Sequence, residues 1–215
     1  RLHKMGNQKA KSNLDRAVKA METRLEKLEV KDKPWELEVA KVEFKEYGEV
    51  VSRILVQGKN ICKKFGDREI FRKAEFEILK GSKTALIGSN GSGKTTLLKL
   101  IISPNEDMDI RLANGVKIGY FSQGMDILDE SSTILENVMN TSVQPEVYAR
   151  TMLARLLFKR DEIYKKVGQL SGGERVRVCF AKIFASEVNL IILDEPTNFL
   201  DIYSMEAVEN DLKLY

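Results

Sequence analysis

The sequence lacks any apolar run long enough to cross a membrane. Its most apolar segments, such as residues 190–193, are far shorter than the roughly 20 residues that a membrane-spanning helix needs. The first residues are polar and basic and lack the apolar segment of a secretory signal peptide. We expect no membrane span or secretion signal in this stretch. Because it begins at Arg1 rather than at methionine, we expect a piece of a longer polypeptide.

Cysteine and histidine are scarce as well. The only cysteines, Cys62 and Cys179, each lie in an apolar stretch. One disulfide between them is possible. Two buried free thiols in a reducing compartment are the simpler interpretation, which predicts a cytoplasmic protein. The single histidine, His3, lies near the first residue, where a solvated side chain is expected.

The net charge is small but unevenly distributed. It is +3, from 35 Lys and Arg against 32 Asp and Glu. Residues 1–33 carry ten basic and five acidic side chains, whereas the remaining 182 residues carry 25 and 27. A basic arm beside a nearly neutral body is typical of contact with an anionic partner, nucleic acid first. A lysine-rich solvated helix face explains the same pattern, and charge alone leaves both interpretations open.

The basic arm has a helical pattern. Residues 7–30 contain neither glycine nor proline, and their apolar residues follow heptad spacing: Leu14, Val18, Met21, Leu25 and Leu28. Such a seam requires a partner helix. The helix is predicted to end at Lys33, because a residue that precedes proline is disfavoured in the α conformation. We therefore predict a basic amphipathic linker helix over residues 1–33 and a second domain over residues 34–215.

The second domain shows strand and helix patterns in an α/β order. Residues 37–78 are predicted to form short strands with turns at Gly48, Gly58 and Gly66. The segments that follow are predicted, in chain order, as strand 84–87, helix 95–102, strand 116–121, a mostly helical stretch 133–180, strand 190–193 and helix 204–214. This order predicts an α/β sheet with parallel central strands.

A phosphate-binding loop follows the predicted strand 84–87. Residues 88–95 match the pattern of glycine, four residues, then Gly-Lys-Ser/Thr, between a strand and a helix. The glycines let backbone N–H groups turn inward around phosphates, assisted by the helix dipole. Lys94 is expected to reach the β- and γ-phosphates, and the Thr95 hydroxyl to bind Mg²⁺.

Two further motifs lie downstream. The apolar strand 190–193 ends in Asp194 and Glu195, of which the first suits Mg²⁺ and the second suits a general base for an attacking water. Solvated acids at a strand end are the alternative. About twenty residues earlier, the Ser-Gly-Gly turn at residues 171–173 precedes a helix and presents a hydroxyl and free N–H groups to an anion.

Together these motifs resemble those of the ATP-binding cassette superfamily over about residues 58–215. The resemblance implies a phosphate-loop NTPase domain with a mixed sheet core, an antiparallel β subdomain and a helical signature subdomain, here preceded by the long amphipathic helix. It implies ATP and Mg²⁺ as ligands. In this family the signature of one cassette closes over nucleotide held by another, so it also implies a second cassette, upstream in the same parent chain or in a homodimer.

The resemblance also implies roles for individual residues. Phe65 is expected to stack on adenine, and the other nucleotide-binding positions are Gly88, Ser89, Asn90, Gly91, Ser92, Gly93, Lys94, Thr95, Thr96, Ser171, Gly172, Gly173 and Glu174. The catalytic residues are expected to be Glu195, Lys94 and Gln123. The metal ligands are expected to be Thr95, Gln123 and Asp194. An ordinary core aromatic at Phe65 and a plain strand-end residue at Gln123 are the alternatives.

One run is similar to a particular branch of the superfamily. Residues 195–201, Glu-Pro-Thr-Asn-Phe-Leu-Asp, resemble the Glu-Pro-Thr-Asn-His-Leu-Asp run of ABC-F proteins, with Phe199 in place of histidine. The basic helix likewise resembles the end of the linker that joins the two cassettes of such proteins near ribosomal RNA. We therefore expect the second cassette of a soluble ABC-F ATPase that acts on the ribosome, as a translation factor or in antibiotic-resistance ribosomal protection. ATP would close two cassettes and hydrolysis would reopen them.

Two other classes remain as alternatives. One is the ATP-binding subunit of an ABC membrane transporter, and the other is a chromosome-associated ATPase with a coiled-coil arm. The second is disfavoured because such proteins insert long coils inside the cassette, whereas Gln123 and Ser171 are only 48 positions apart. The family's switch histidine would lie beyond Tyr215, so we expect the 215-residue chain alone to hydrolyse negligible ATP.

Overall fold

The computed structural model describes residues 50–104 and 109–214, all within the unit Lys41–Tyr215. The predicted linker helix, its heptad seam and the predicted boundary at Lys33 lie outside the described residues. The division into a linker and a second domain therefore stays a prediction.

A long β-hairpin opens the described part of the chain. Strands β1 (Ile54–Phe65) and β2 (Arg68–Leu79) pair antiparallel, and β3 (Asp109–Leu112) pairs antiparallel with the other edge of β1. The predicted turn at Gly66 is confirmed, with Gly66 at a φ of 56°. Gly58 was predicted at a turn but lies inside β1, where an added Cβ would be 2.3 Å from the Phe76 ring.

A second sheet carries the parallel pairing that the sequence predicts. Strand β4 (Ile118–Phe121) lies parallel to β5 (Leu190–Leu193), with Phe121 opposite Leu193. The predicted strand at residues 84–87 is wrong, because this segment pairs with no strand among the described residues. Its apolar composition suits a buried strand, but Ile87 is 90% exposed. A strand needs hydrogen bonds to a partner edge as well as apolar residues, and residues 84–87 are not paired with β4 or β5.

Five α-helices complete the described fold. They are α1 (Lys94–Ile102), α2 (Ile134–Met139), α3 (Glu146–Arg155), α4 (Gly172–Ala185) and α5 (Ile202–Leu214). Single turns of 3₁₀-helix lie at Glu162–Tyr164 and Val167–Gln169. The predicted helices at 95–102 and 204–214 are thus confirmed to within two residues. Within the described ranges, every helix is too short or too polar to cross a membrane.

Two apolar clusters hold these elements in place. The larger one packs α2, α3 and α4 around a stacked aromatic pair, Phe121 and Phe180, whose ring centroids are 5.1 Å apart. The smaller one packs β1 against α1, through Val56, Leu100 and Ile101. Each large apolar side chain buried in this way contributes about 1.5–3 kcal/mol. The second cluster anchors α1, which begins at the phosphate-binding loop.

The two cysteines differ from each other. Both are free thiols, so the alternative of a disulfide between them is wrong. Cys179 is buried in α4, and burial raises the pKa of its thiol to about 12. Cys62 was predicted to be buried but is exposed, because its neighbour Ile61 occupies the inward position on β1.

Candidate functional site

The phosphate-binding loop leads directly into α1. Gly93 is the N-cap of the helix and has a φ of 103°, a conformation that residues with a Cβ rarely adopt. The hairpin leaves no room for a side chain there, since an added Cβ would lie 2.4 Å from Ile70 and 3.0 Å from Phe71. Glycine at this position is therefore required both by backbone conformation and by packing against β2.

Lys94 extends back over the loop from the first residue of α1. Its Nζ donates hydrogen bonds to the carbonyl oxygens of Gly88, at 2.9 Å, and Ser89, at 3.1 Å. The loop thus surrounds one ammonium group, which lies in a cleft of about 330 Å³. A compact cation at the beginning of a helix is the arrangement that attracts a polyphosphate.

The predicted metal ligands Thr95 and Asp194 lie next to each other. Thr95 Oγ1 donates to Asp194 Oδ1 at 3.1 Å, and Asp194 is only 5% exposed. Two oxygen atoms at this spacing can serve as ligands for Mg²⁺, which takes one or two protein ligands and completes its coordination shell with water and substrate phosphates. The chemistry of the donor pair therefore fits the predicted cation.

Tyr120 holds the other oxygen of the same carboxylate. Its hydroxyl donates to Asp194 Oδ2 at 3.5 Å. Burial, and then the charge of Asp194, raises the pKa of Tyr120, which stays a protonated donor at neutral pH. The Asp194 carboxylate is thus positioned from two sides, by α1 and by β4.

Glu195 lies just past β5, and two side-chain amides approach its carboxylate within hydrogen-bonding distance. Asn198 Nδ2 donates to Glu195 Oε2 at 2.9 Å, and Gln123 Nε2 approaches the same oxygen at 3.4 Å. The backbone of Glu195 has a φ of 51°, which turns the chain sharply at the end of the strand. Gln123 is thereby placed at the predicted general base, and its role as a metal ligand stays a prediction.

The cleft joins the phosphate loop to the hairpin. It is lined by Phe65, Ile70, Asn90, Gly91, Gly93, Lys94, Thr95, Thr96 and Glu195. Phe65 is 56% exposed, so it is not the core aromatic that remained as an alternative. The Lys63 ammonium lies 5.4 Å from the centre of its ring. An exposed aromatic ring that lines the cleft is a suitable platform for a base.

The Ser-Gly-Gly turn forms the N-terminus of α4. Ser171 is the N-cap, and its Oγ accepts from the Glu174 N–H while the Glu174 carboxylate accepts from the Ser171 N–H at 2.8 Å. The Ser171 hydroxyl also donates to the Glu174 carboxylate at 2.7 Å, and this bond, followed by the one from the Ser171 N–H, lowers the pKa of Glu174. None of the residues 171–174 lines the cleft that holds Lys94.

The structure brings most of the predicted site residues together. The loop 88–96, Asp194, Glu195, Gln123 and Phe65 surround one cleft or touch its lining, whereas the signature turn lies apart from it. Sequence reasoning missed Tyr120 and Arg68, and it named Asn198 only as part of a motif. Arg68 directly follows a predicted turn, which indicated the tip of a hairpin but not its contact with the loop. Nothing in the sequence indicated the contact of Tyr120 with Asp194.

This geometry defines a phosphate-loop nucleotide-binding domain. Comparison with known proteins agrees, since the family model described as ABC transporter matches residues 71–198. A solved structure described as a dimeric post-hydrolysis state of the ATP-binding cassette MJ0796 bound to ADP and Pi superimposes with a TM-score of 0.63. Its sequence identity is 25%, over 74% of this chain and 82% of that chain.

The chain belongs to the ATP-binding cassette family, and its curated relatives are of the ABC-F type that the sequence predicts. It is 38% identical to ABC transporter F family member 2 of Arabidopsis thaliana over 214 residues, 96% of this chain and 31% of that protein. It is 35% identical to the energy-dependent translational throttle protein EttA of Haemophilus influenzae over 164 residues, 73% of this chain and 29% of that protein. The chain thus spans about a third of the length of these relatives.

Proposed function

We propose that this chain is the ATP-binding cassette of an ABC-F ATPase that acts on the ribosome. The observation that carries the ATPase part is the placement of Asp194 and Glu195 at one phosphate-loop cleft, with Thr95 Oγ1 3.1 Å from Asp194 Oδ1. A loop for phosphates, a pair of oxygens for Mg²⁺ and a separate carboxylate are the components of phosphoryl transfer to water. We include in the proposal a cytoplasmic location and the site residues described above.

Each residue has a definite task in the proposed reaction. Mg²⁺, when bound, neutralises charge on the β- and γ-phosphates. Lys94 holds the same phosphates as a point charge, and Phe65 stacks on the adenine. Glu195 accepts a proton from the attacking water, while the amides of Gln123 and Asn198 orient its carboxylate.

We further propose that a second cassette completes the site. The Ser171 turn presents a capped helix N-terminus, but it lies outside the cleft of its own cassette. A turn that can bind an anion and does not line its own site is suited to the phosphates held by a partner. The dimeric form of the solved ADP-bound cassette supports this arrangement. ATP would then close the two cassettes, and hydrolysis would let them separate.

The ribosome is proposed from the relatives and from charge. One relative is named a translational throttle protein, and the predicted arm over residues 1–33 holds ten basic side chains against five acidic ones. A basic helix suits ribosomal RNA, because phosphate contacts dominate binding to nucleic acids. The alternative function is the ATP-binding subunit of a membrane transporter, which the description of the matching family model favours.

The test uses the full-length protein with Glu195→Gln. This change keeps the shape of the side chain and removes the general base, so bound ATP should persist and hold the closed state. ATP is added to a cell lysate, and ribosomes and membranes are sedimented separately. We expect the variant to sediment with ribosomes only when ATP is present.

The matched control is Glu206→Gln, at an exposed position on α5. It should behave as the wild type, with only transient ATP-dependent association. Association of Glu195→Gln with membranes and not with ribosomes would establish the transporter alternative. Association with neither fraction would contradict the ribosomal part of the proposal and leave the cassette assignment intact.

A further inference from the structure

Arg68 contacts the phosphate loop from the tip of the β-hairpin. It is the first residue of β2, immediately after the turn at Gly66, and its side chain extends to a loop 23 positions away. Arg68 Nη2 donates a hydrogen bond of 2.8 Å to the carbonyl oxygen of Gly91. The donor is charged, so this bond is stronger than one between neutral groups.

The guanidinium of Arg68 also packs over Gly91. A Cβ added at Gly91 would lie 3.4 Å from Arg68 Nη2 and 3.8 Å from Nη1. Gly91 itself lines the nucleotide cleft and has a φ of 74°. Farther along β2, Ile70 fills the corresponding space above Gly93. The beginning of β2 therefore covers two of the three glycines on which the loop depends.

The hydrogen bond determines the orientation of one peptide group. In a trans peptide the carbonyl and the following N–H point in opposite directions. Arg68 holds the carbonyl of the Gly91–Ser92 peptide, and the Ser92 N–H at its other edge donates to Ser89 O at 3.2 Å. Both edges of this peptide are therefore held, which fixes the local conformation of a loop whose backbone N–H groups bind phosphate oxygens.

The same hairpin also carries the aromatic end of the cleft. Phe65 ends β1 and pairs directly with Arg68 across the turn. The two residues thus serve two parts of one proposed ligand site: Phe65 is the ring proposed to stack on the base, and Arg68 contacts the loop proposed for the phosphates. A displacement of the hairpin would alter both parts together.

We propose that Arg68 is a positioning residue for nucleotide binding, which orients the Gly91–Ser92 peptide so that the loop is preformed for the β-phosphate. The inference rests on the proposed ATP-binding function and adds a residue outside the loop to it. Preforming the loop removes part of the cost of ordering it when the nucleotide binds. The effect should therefore appear in affinity for polyphosphates and not for the nucleoside.

The experiment measures binding to the full-length protein by displacement of a fluorescent ATP analogue. The competitors are ATP, ADP and adenosine, and the variants are Arg68→Ala, Arg68→Lys, Arg72→Ala and Lys94→Ala. Arg72 is the matched control, because it is an exposed arginine on the same strand. For Arg68→Ala we expect affinity for ATP and ADP to fall about tenfold, as for loss of one charged hydrogen bond, with adenosine unchanged within about twofold.

Lysine at position 68 should restore part of the affinity, because its ammonium can donate one hydrogen bond to the Gly91 carbonyl. Arg72→Ala should bind as the wild type. If Arg68→Ala binds ADP as tightly as the wild type while Lys94→Ala loses binding, the inference about Arg68 is overturned and the proposed ATP-binding function stands. An equal loss for adenosine and ADP would also overturn it, since the effect would not concern phosphates. Failure of the wild type to bind ATP would overturn the proposed function as well.

Discussion

Gly173 illustrates how one residue can be constrained by a segment far away in the chain. It is the second residue of α4, where alanine would ordinarily be the better helix former by about 1 kcal/mol. An added Cβ, however, would lie 2.7 Å from the carbonyl oxygen of Phe199. Phe199 has a φ of 71° and belongs to the run that follows Glu195. The signature turn and the run after β5 are therefore in direct backbone contact.

We predict that Gly173→Ala destabilises the protein by about 1–3 kcal/mol, because the clash with Phe199 outweighs the gain in helix propensity. Urea-induced unfolding, followed by circular dichroism, measures the change. Gly172→Ala is the matched control, since a Cβ there would meet Phe199 at 3.5 Å, an ordinary contact. The control should be neutral or slightly stabilising. A stabilised Gly173→Ala variant would contradict this prediction, because it would show that the Phe199 backbone can move away from the added Cβ at little cost.

At the scale of elements, helix α2 depends on its N-terminus. It has only six residues, Ile134–Met139, which is too short for an isolated helix to form in water. Thr133 caps it, with its Oγ1 accepting from the Glu136 N–H at 3.2 Å and its N–H donating to the Glu136 carboxylate at 2.7 Å. The bond from the Thr133 N–H to the carboxylate, followed by one of 2.8 Å from the Thr133 hydroxyl, lowers the pKa of Glu136. Ile134 and Val138 are fully buried.

We predict that Thr133→Ala lowers the free energy of unfolding by about 1 kcal/mol, the usual effect of removing a capping hydroxyl. Thermal or urea denaturation at neutral pH is the measurement. Thr141→Ala, at an exposed position two residues after the helix, should change stability by less than about 0.5 kcal/mol. Equal effects of the two substitutions would mean that packing alone maintains α2.

The sequence predicted these elements unevenly. Helices with a cap and an apolar face, such as α4 after Ser171, could be predicted from the sequence because the signals lie within a few residues. The structure of segment 84–87 was predicted wrongly, because an apolar run shows that a segment suits a strand but does not show that a partner edge is present. Gly58 was assigned to a turn for a similar reason. Glycine marks both turns and places of close approach, and only the Phe76 ring distinguishes them here.

At the scale of the whole molecule, the nucleotide site and the signature turn are separate surfaces. The cleft includes Lys94 and Glu195, and it includes none of the residues 171–174. If the reaction uses groups from both surfaces, as we propose, a second cassette supplies the turn. Catalysis should therefore depend on the pairing of cassettes, whereas nucleotide binding should require only one.

We predict that the 215-residue chain alone binds ATP weakly and hydrolyses it at least about 100-fold more slowly than the full-length protein, because preorganised groups that stabilise the transition state would be missing. Phosphate release with Mg²⁺ at saturating ATP is the measurement. Binding of the fluorescent ATP analogue serves as the control for folding. Rapid Mg²⁺-dependent hydrolysis by the chain would show that one cassette, or a homodimer of it, suffices.

The sequence by itself determined the parts of the site that are made by neighbouring residues. The phosphate loop, the acids after β5 and the capped Ser171 turn depend on local backbone conformation, glycine and hydrogen bonds within a few positions, so their spacing is visible in the chain. Only the tertiary structure decided which distant residues meet. Thr95 contacts Asp194 across 99 positions, and Arg68 contacts Gly91 across 23. Such contacts follow from how sheets and helices pack against one another, which no short pattern of residues encodes.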